Sequence, residues 1–269
     1  MNIAERKPEL LALRLDDVGA SSKKFEVYSN KSWQFGPIRV SANLLFLKYL
    51  PAYKSWGPYR ELSAADWLEI LELLETFGAK LTVAVTAAWV EAEDNLIPFP
   101  EKFPEEAAAI KAGVEKGFLE VANHGLTHCV VENNAFKPRL FSSNRNFHRE
   151  FGPLTSIYNQ DEHLRKSQRI LEEWLGRKVT TFVPPGNMFT EDTLPLAAKH
   201  GLSRLSANIP PRSDSRPIVL GNRNVMAFHD RDIVLGGSGW LRALLEVNEG
   251  KRFVFVRELT KQTGGVYGH

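Results

Sequence analysis

Short apolar runs alternate with stretches of helical period along most of this chain, and that alternation limits its fold more than any other feature. Leu10-Leu11-Ala12-Leu13-Arg14-Leu15, Leu81-Thr82-Val83-Ala84-Val85, Phe118-Leu119-Glu120-Val121-Ala122 and Lys178-Val179-Thr180-Thr181-Phe182-Val183 read as strands. Between them lie helices. Ser63 is the expected N-cap of one, with Asp66 at its third helical position, Trp67, Ile70, Leu71 and Leu74 as the buried stripe and Gly78 as the end. Another opens near Pro104, a residue suited to a first helical turn. Asn159 is expected to cap a third, with Leu164, Ile170, Leu171 and Trp174 as apolar positions and Gly176 as its end. A fourth runs from Thr190 to Gly201, shortened or bent by Pro195, and a last from Ser238 to about Val247. Further strands are expected at 202–207, 217–220, 224–228 and 252–256. With 269 residues, 43% of them hydrophobic, this pattern specifies one α/β domain, residues 1–269, built as a barrel on a parallel sheet.

Two long excursions interrupt it, at about 20–62 and about 129–159. The first holds Phe25, Tyr28, Trp33, Phe35, Tyr49, Tyr53, Trp56 and Tyr59, aromatics that can pack the excursion on the barrel, stack on sugar rings or grip a lipid. The second carries Arg139, Arg145 and Arg149 among several asparagines, a mixture suited to polar substrate contacts. Charge adds exclusions. The chain has 34 basic and 32 acidic side chains, a net charge of +2, and no Lys/Arg run dense enough to neutralise phosphates, so no nucleic-acid partner is expected. The single cysteine, Cys129, excludes an internal disulfide and is read as a small buried hydrophobe. No apolar run has the length of a membrane span or of a signal-peptide core. The expected location is therefore the cytoplasm, with peripheral contact at the inner membrane face left open.

The residues that carry chemistry fall at the ends of the strands. Asp16-Asp17 closes the first, His124-Gly125-Leu126-Thr127-His128 leaves the third, Pro184-Pro185-Gly186-Asn187 follows the fourth and His229 ends the run at 224–228. In an α/β barrel the carboxyl ends of the strands form the active-site face. Two imidazoles four residues apart, with a glycine to fold the backbone between them, can meet one divalent ion together with one carboxylate of the aspartate pair. Such an ion acidifies water and polarises a carbonyl; the other carboxylate can take the water's proton and His229 can protonate a leaving amine. Backbone N–H groups in the turn at Gly186 and Asn187 can share the charge of an oxyanion.

Asp16-Asp17, His124-Gly-Leu-Thr-His128, Phe182-Val183-Pro184-Pro185-Gly186 and Phe228-His229-Asp230 resemble, in order, the motifs of polysaccharide deacetylases, the NodB-homology group of carbohydrate esterase family 4. The resemblance implies a deformed (β/α) barrel of the NodB-like type and metal-dependent hydrolysis of an N-acetyl group. It implies Asp16 as general base, Asp17, His124 and His128 as metal ligands, His229 as general acid and Zn2+ as the usual ion. The chain departs from the pattern at Val183, where relatives carry an arginine that holds the base. Arg14, which strand alternation points to the side of Asp16, is one candidate substitute, and one of Arg139, Arg145 or Arg149 is another. At Gly186 the tyrosine ring of relatives is missing and only an amide remains. Asn208 and Asp214 are the candidates to orient His229.

The function expected is therefore a metal-dependent hydrolase that removes an N-acetyl group from an amino sugar, a polysaccharide precursor in bacterial surface polysaccharide biosynthesis. The competing readings are a non-catalytic, metal-containing carbohydrate-binding protein on the same fold, motivated by Val183, and a deformylase of a lipid-linked amino sugar.

Overall fold

The computed structural model describes residues 8–259 except 45, 93–94, 130–148, 211, 213–214 and 222–223. Arg139, Arg145 and Asp214 lie outside the described residues. In chain order the first elements are β1 (Leu10–Val18), β2 (Ser32–Phe35), β3 (Ile38–Ser41), α1 (Ala64–Thr76), β4 (Leu81–Val85), β5 (Ala88–Ala92) and β6 (Asn95–Pro98). Then come α2 (Phe99–Lys102), α3 (Pro104–Glu115), β7 (Leu119–Asn123), α4 (Ile157–Leu175), β8 (Thr181–Phe182) and α5 (Thr193–Lys199). The chain continues through β9 (Arg204–Leu205), β10 (Ile218–Val219), β11 (Val225–His229), α6 (Asp230–Gly236), α7 (Ser238–Val247) and β12 (Arg252–Phe253).

Eight strands form one sheet in the order β10-β9-β8-β7-β4-β1-β11, with β12 paired to the start of β1, and every pairing is parallel. The sheet curls into a half-barrel with helices outside, the deformed (β/α) barrel expected. Its alternation assigns the two faces. Leu13, Leu15, Leu81, Val83, Leu119 and Val121 point outward into the main core with Trp67, Ile70 and Leu74 of α1 and Ile110 of α3. The inward residues are shorter or polar. Ala84, Ala122 and Val183 pack together, and buried beside them in the sequence alternation lie Arg14, Thr82, Glu120 and Thr181.

The pairing register brings the strand ends to one rim. Asp16 stands opposite His229, Val85 opposite Asn123 and Asn123 opposite Phe182. Between β1 and β4 the register slips, from Leu15↔Val83 to Val18↔Val85, so β1 carries one extra residue there. A bulge of this kind re-aims a side chain. Asp17 takes φ 72 within it, which lets two adjacent carboxylates serve one site instead of opposite faces.

Some sequence expectations need correction. The cap of α4 is Ser156, whose Oγ accepts from the Asn159 backbone, so Asn159 is already helical. The helix expected from Thr190 to Gly201 is only Thr193–Lys199, and Pro195 falls in its first turn, where no backbone N–H is required of it. β8, β9, β10 and β12 have two residues each, shorter than the runs suggested. The β2–β3 and β5–β6 hairpins and α6 had no expectation.

Candidate metal centre and active site

Asp17, His124 and His128 meet at the rim, each buried, with one donor atom of each within 4.8 Å of the others. Asp17 Oδ1 is 3.3 Å from His124 Nε2 and 3.1 Å from His128 Nε2. Burial would raise the Asp17 carboxyl, but the imidazoles of His124 and His128 beside it hold it well below the usual carboxylate range. Val183 O lies 2.7 Å from His124 Nδ1, so that nitrogen carries a proton and donates. In a neutral imidazole Nε2 then presents a lone pair to a carboxylate oxygen, an arrangement that a divalent cation between them would satisfy. The donor set, two imidazoles and a carboxylate, fits a zinc-like ion with an open position.

The loop between the two histidines is held by Glu150, which no sequence pattern marked. Its carboxylate accepts from the backbone N–H groups of Leu126 and His128 at 2.8 Å each and of Thr127 at 3.3 Å, and pairs with His163 Nδ1 on α4. That satisfies three amides in a turn where Gly125 has φ 79 and His128 φ 59. Gly125 is required sterically as well, because a Cβ there would lie 2.3 Å from Glu150 Oε2. Asn123 closes the base of the loop, accepting from Gly125 N at 2.9 Å and donating to Ser167 Oγ and Gln168 Oε1. Cys129 is buried and donates to Thr127 Oγ1, and burial pushes its thiol up to about 12, which keeps it out of the thiolate chemistry of a metal.

Asp16 sits beside the triad, gripped by Arg14: Nε donates to Oδ1 at 2.9 Å and Nη2 to Oδ2 at 2.7 Å. Arg14 Nη1 also donates to Ser206 Oγ, and Nη2 to Asn187 Oδ1 at 3.2 Å. The Val183 side chain packs with Ala84 and Ala122, so the guanidinium reaches the aspartate from β1. Asn187, at φ 54, also accepts from Asn208 N. The Asn208 backbone N–H is thus tied to Asn187. Gly186 has φ 62 in the turn after Pro185.

His229 comes in from β11, its Nε2 3.9 Å from Asp17 Oδ2. Arg231 Nη2 lies 3.1 Å from His229 Nδ1; a guanidinium only donates, so Nδ1 accepts and the ring proton sits on Nε2, toward the metal triad. Arg231 is also 3.6 Å from Asp17 Oδ2, 4.0 Å from Glu26 Oε2 and 5.0 Å from the ring centre of Trp56. Tyr28 stacks on the same indole at 5.5 Å. The first excursion therefore forms a wall of the site. It is anchored by Lys23, buried between Glu61 at 2.7 Å and Asp230; burial opposes its charge, but the two carboxylates hold the ammonium well above its ordinary value. Arg231 and Glu26 were not expected. The only sequence signal for Arg231 was its place two residues after His229, in the first turn of α6.

A family model described as polysaccharide deacetylase matches residues 57–205, more than half of the chain; the match includes His124 and His128 but ends short of Asp16, Asp17 and His229. No curated protein matches. Among solved structures the chain is similar to the Xyl-CE4 domain of a multidomain xylanase from the hindgut metagenome of Trinervitermes trinervoides, at 14% identity and a TM-score of 0.50, over 94% of this chain and 89% of that one. It is also similar to a family 4 acetyl xylan esterase from Clostridium thermocellum in complex with a cobalt ion, at 12% identity, TM-score 0.47, over 93% and 89%. A mutant of a peptidoglycan deacetylase from Bacillus subtilis gives 13% identity and TM-score 0.48, over 93% and 89%. At 14% identity the likeness to the Xyl-CE4 domain speaks for the fold, and the family model speaks for descent: the chain belongs to the polysaccharide deacetylase family.

Proposed function

We propose that this protein is a metal-dependent hydrolase that removes an N-acetyl group from an amino sugar, acting on a precursor in surface polysaccharide biosynthesis. The observation that carries the reading is the convergence of His124 Nε2 and His128 Nε2 on Asp17 Oδ1, with the His124 tautomer fixed by Val183 O. Asp17, His124 and His128 would hold a divalent ion, for which zinc is the choice of such a donor set. When bound, it would polarise the acyl carbonyl and lower the pKa of water.

The chain's own residues supply the rest. Asp16 takes the proton of the attacking water while Arg14 fixes the plane of its carboxylate. The Gly186 amide, in the turn below Asn187, helps to carry the oxyanion. His229 gives its Nε2 proton to the leaving amine, and Arg231 keeps that proton on Nε2. The Trp56 and Tyr28 rings offer an aromatic edge to the sugar beside the acid. The grip of Arg14 on Asp16 supports the catalytic reading despite the departure at Val183, which was the motive for a non-catalytic binding protein.

The test is metal content of wild type beside His128→Ala, followed by acetate release from N-acetylated amino sugars with each reconstituted ion. Stoichiometric metal lost in the variant, together with acetate release by wild type, is expected. Metal without release from any N-acetyl sugar would return the reading to a binding protein or to formyl release, and no uptake of metal would overturn it.

A further inference from the structure

From Val27 to Arg60 the chain has five basic residues, Lys31, Arg39, Lys48, Lys54 and Arg60, and no acidic one, in a protein with 34 basic and 32 acidic side chains overall. The same stretch projects an apolar tip. Residues 34–39 are all exposed, and Phe35 and Ile38, paired across the β2–β3 turn, are each 64% exposed. A Cβ added to Gly36 between them would meet nothing within 4 Å, so the tip stands clear of the barrel. Arg39 is exposed next to the tip, and Lys31 and Lys54 are exposed on the same excursion; Lys31 donates to Ala52 O and Arg39 to Ser32 Oγ, neither of which neutralises a charge. The hairpin stands on a firm base: Tyr28 and Trp56 are bridged through the backbone, and Trp33 packs edge-on against Tyr53 at 5.4 Å.

We infer that this hairpin docks the protein on an anionic phospholipid bilayer. A protruding Phe and Ile give up their hydration cost by entering hydrocarbon, and the surrounding ammonium and guanidinium groups stay in the headgroup layer. Each basic group near a negatively charged leaflet adds about 1 kcal/mol, about five-fold in partitioning. An acidic glycan would satisfy the charges and leave Phe35 and Ile38 wet. A protein partner needs about 800 Å² of complementary surface on each side, far more than a two-residue tip presents, whereas a bilayer demands no matching shape. Docking also has a consequence for the site. The excursion that carries the hairpin also supplies Trp56 and Glu26 to the Arg231 cluster, so one segment of chain joins the docking tip to a wall of the site.

The test is co-sedimentation of the full chain with phosphatidylcholine vesicles, with and without phosphatidylglycerol, and needs no activity, so it stands apart from the deacetylase assay. Wild type is expected to pellet with the anionic vesicles alone, and less as salt rises. Phe35→Ser with Ile38→Ser, in exposed positions that leave the melting temperature unchanged, is expected to weaken this binding about ten-fold or more. Lys31→Glu and Arg39→Glu are expected to weaken it at least about five-fold each. Wild type that stays in the supernatant with both vesicles, binding that survives the Phe35/Ile38 changes, or binding to dextran sulfate but not to vesicles would overturn the inference.

Discussion

Arg14 and Asp16 lie two residues apart on one strand, and the guanidinium holds both oxygens of the carboxylate, at 2.9 and 2.7 Å. The pair is buried, with Arg14 only 1% exposed, so the carboxylate has one orientation. Lysine in this position would keep the charge and lose the fork. Arg14→Lys is therefore expected to lower kcat for acetate release about 100-fold with little change in KM, since the base is misdirected and substrate contacts are kept. Arg14→Met would leave Asp16 buried without its cation and cost about 3–5 kcal/mol of stability, which urea unfolding would register.

Gly125 and Glu150 make a second dependence, this time on shape. Alanine at 125 would place a methyl 2.3 Å from a carboxylate fixed by three backbone amides and His163, at φ 79. Gly125→Ala is expected to destabilise the protein by about 1–3 kcal/mol and to weaken metal uptake, because the loop bearing His128 must move. Glu150→Gln keeps the size but replaces an acceptor pair by one acceptor and one donor. Its metal affinity, read by competition with a chelator, is expected to fall about 10- to 100-fold.

How much of this was readable from sequence follows from what is local. Helix α1 was legible because Ser63 and Asp66 cap it within four residues, and the stripe of Trp67, Ile70 and Leu74 repeats at helical spacing. The aspartate pair and the two histidines were legible as a group because they follow apolar runs in parallel strands, whereas which carboxylate faces the histidines is set by the bulge in β1, which no sequence pattern marks. Glu150 was not, since it reaches the loop from 22 residues beyond His128 through contacts that leave no period in the sequence. Arg231 was missed for the opposite reason. It lies two residues from His229, yet an arginine in a helical first turn looks like a solvated charge until Glu26 and Trp56 close over it from the two ends of the first excursion.

His229 and Arg231 should behave as one unit. His229→Gln removes the acid and is expected to lower kcat between about 100- and 10,000-fold. Arg231→Ala frees the ring to turn or to change tautomer and is expected to cost less. Because Arg231 acts through His229, the double variant should be no slower than His229→Gln alone, a non-additivity that steady-state kinetics on the four proteins would measure.

At the start of α1, Asp66 gives the fold a sign in pH. It accepts from Ser63 N at 2.7 Å and from Arg60, and the Arg60 hydrogen bond holds its carboxyl down from 3.8 to about 2. A depressed carboxylate contributes stability that is fully present above its unfolded value and is lost as pH falls through the folded one. Asp66→Ala is accordingly expected to cost about 1 kcal/mol at neutral pH. The gap between the wild-type and variant melting curves should begin to close below about pH 4 and go on closing as pH falls through about 2.

Metal should stabilise the fold as well as serve the reaction, because the residues that would hold it are drawn from β1 and from the loop after β7. Unfolding would separate Asp17 from His124 and His128, so an ion bound only by the folded chain adds RT ln(1 + [L]/Kd). At free zinc about 1,000-fold above Kd this amounts to about 4 kcal/mol, a shift in melting temperature of several degrees for a chain of this size. His128→Ala is expected to abolish the shift while keeping most of the metal-free melting temperature, whereas Asp16→Asn, with every ligand intact, is expected to retain it. Thermal melts with and without a chelator distinguish the two. A shift that survives His128→Ala would place the ion somewhere other than the Asp17, His124 and His128 triad.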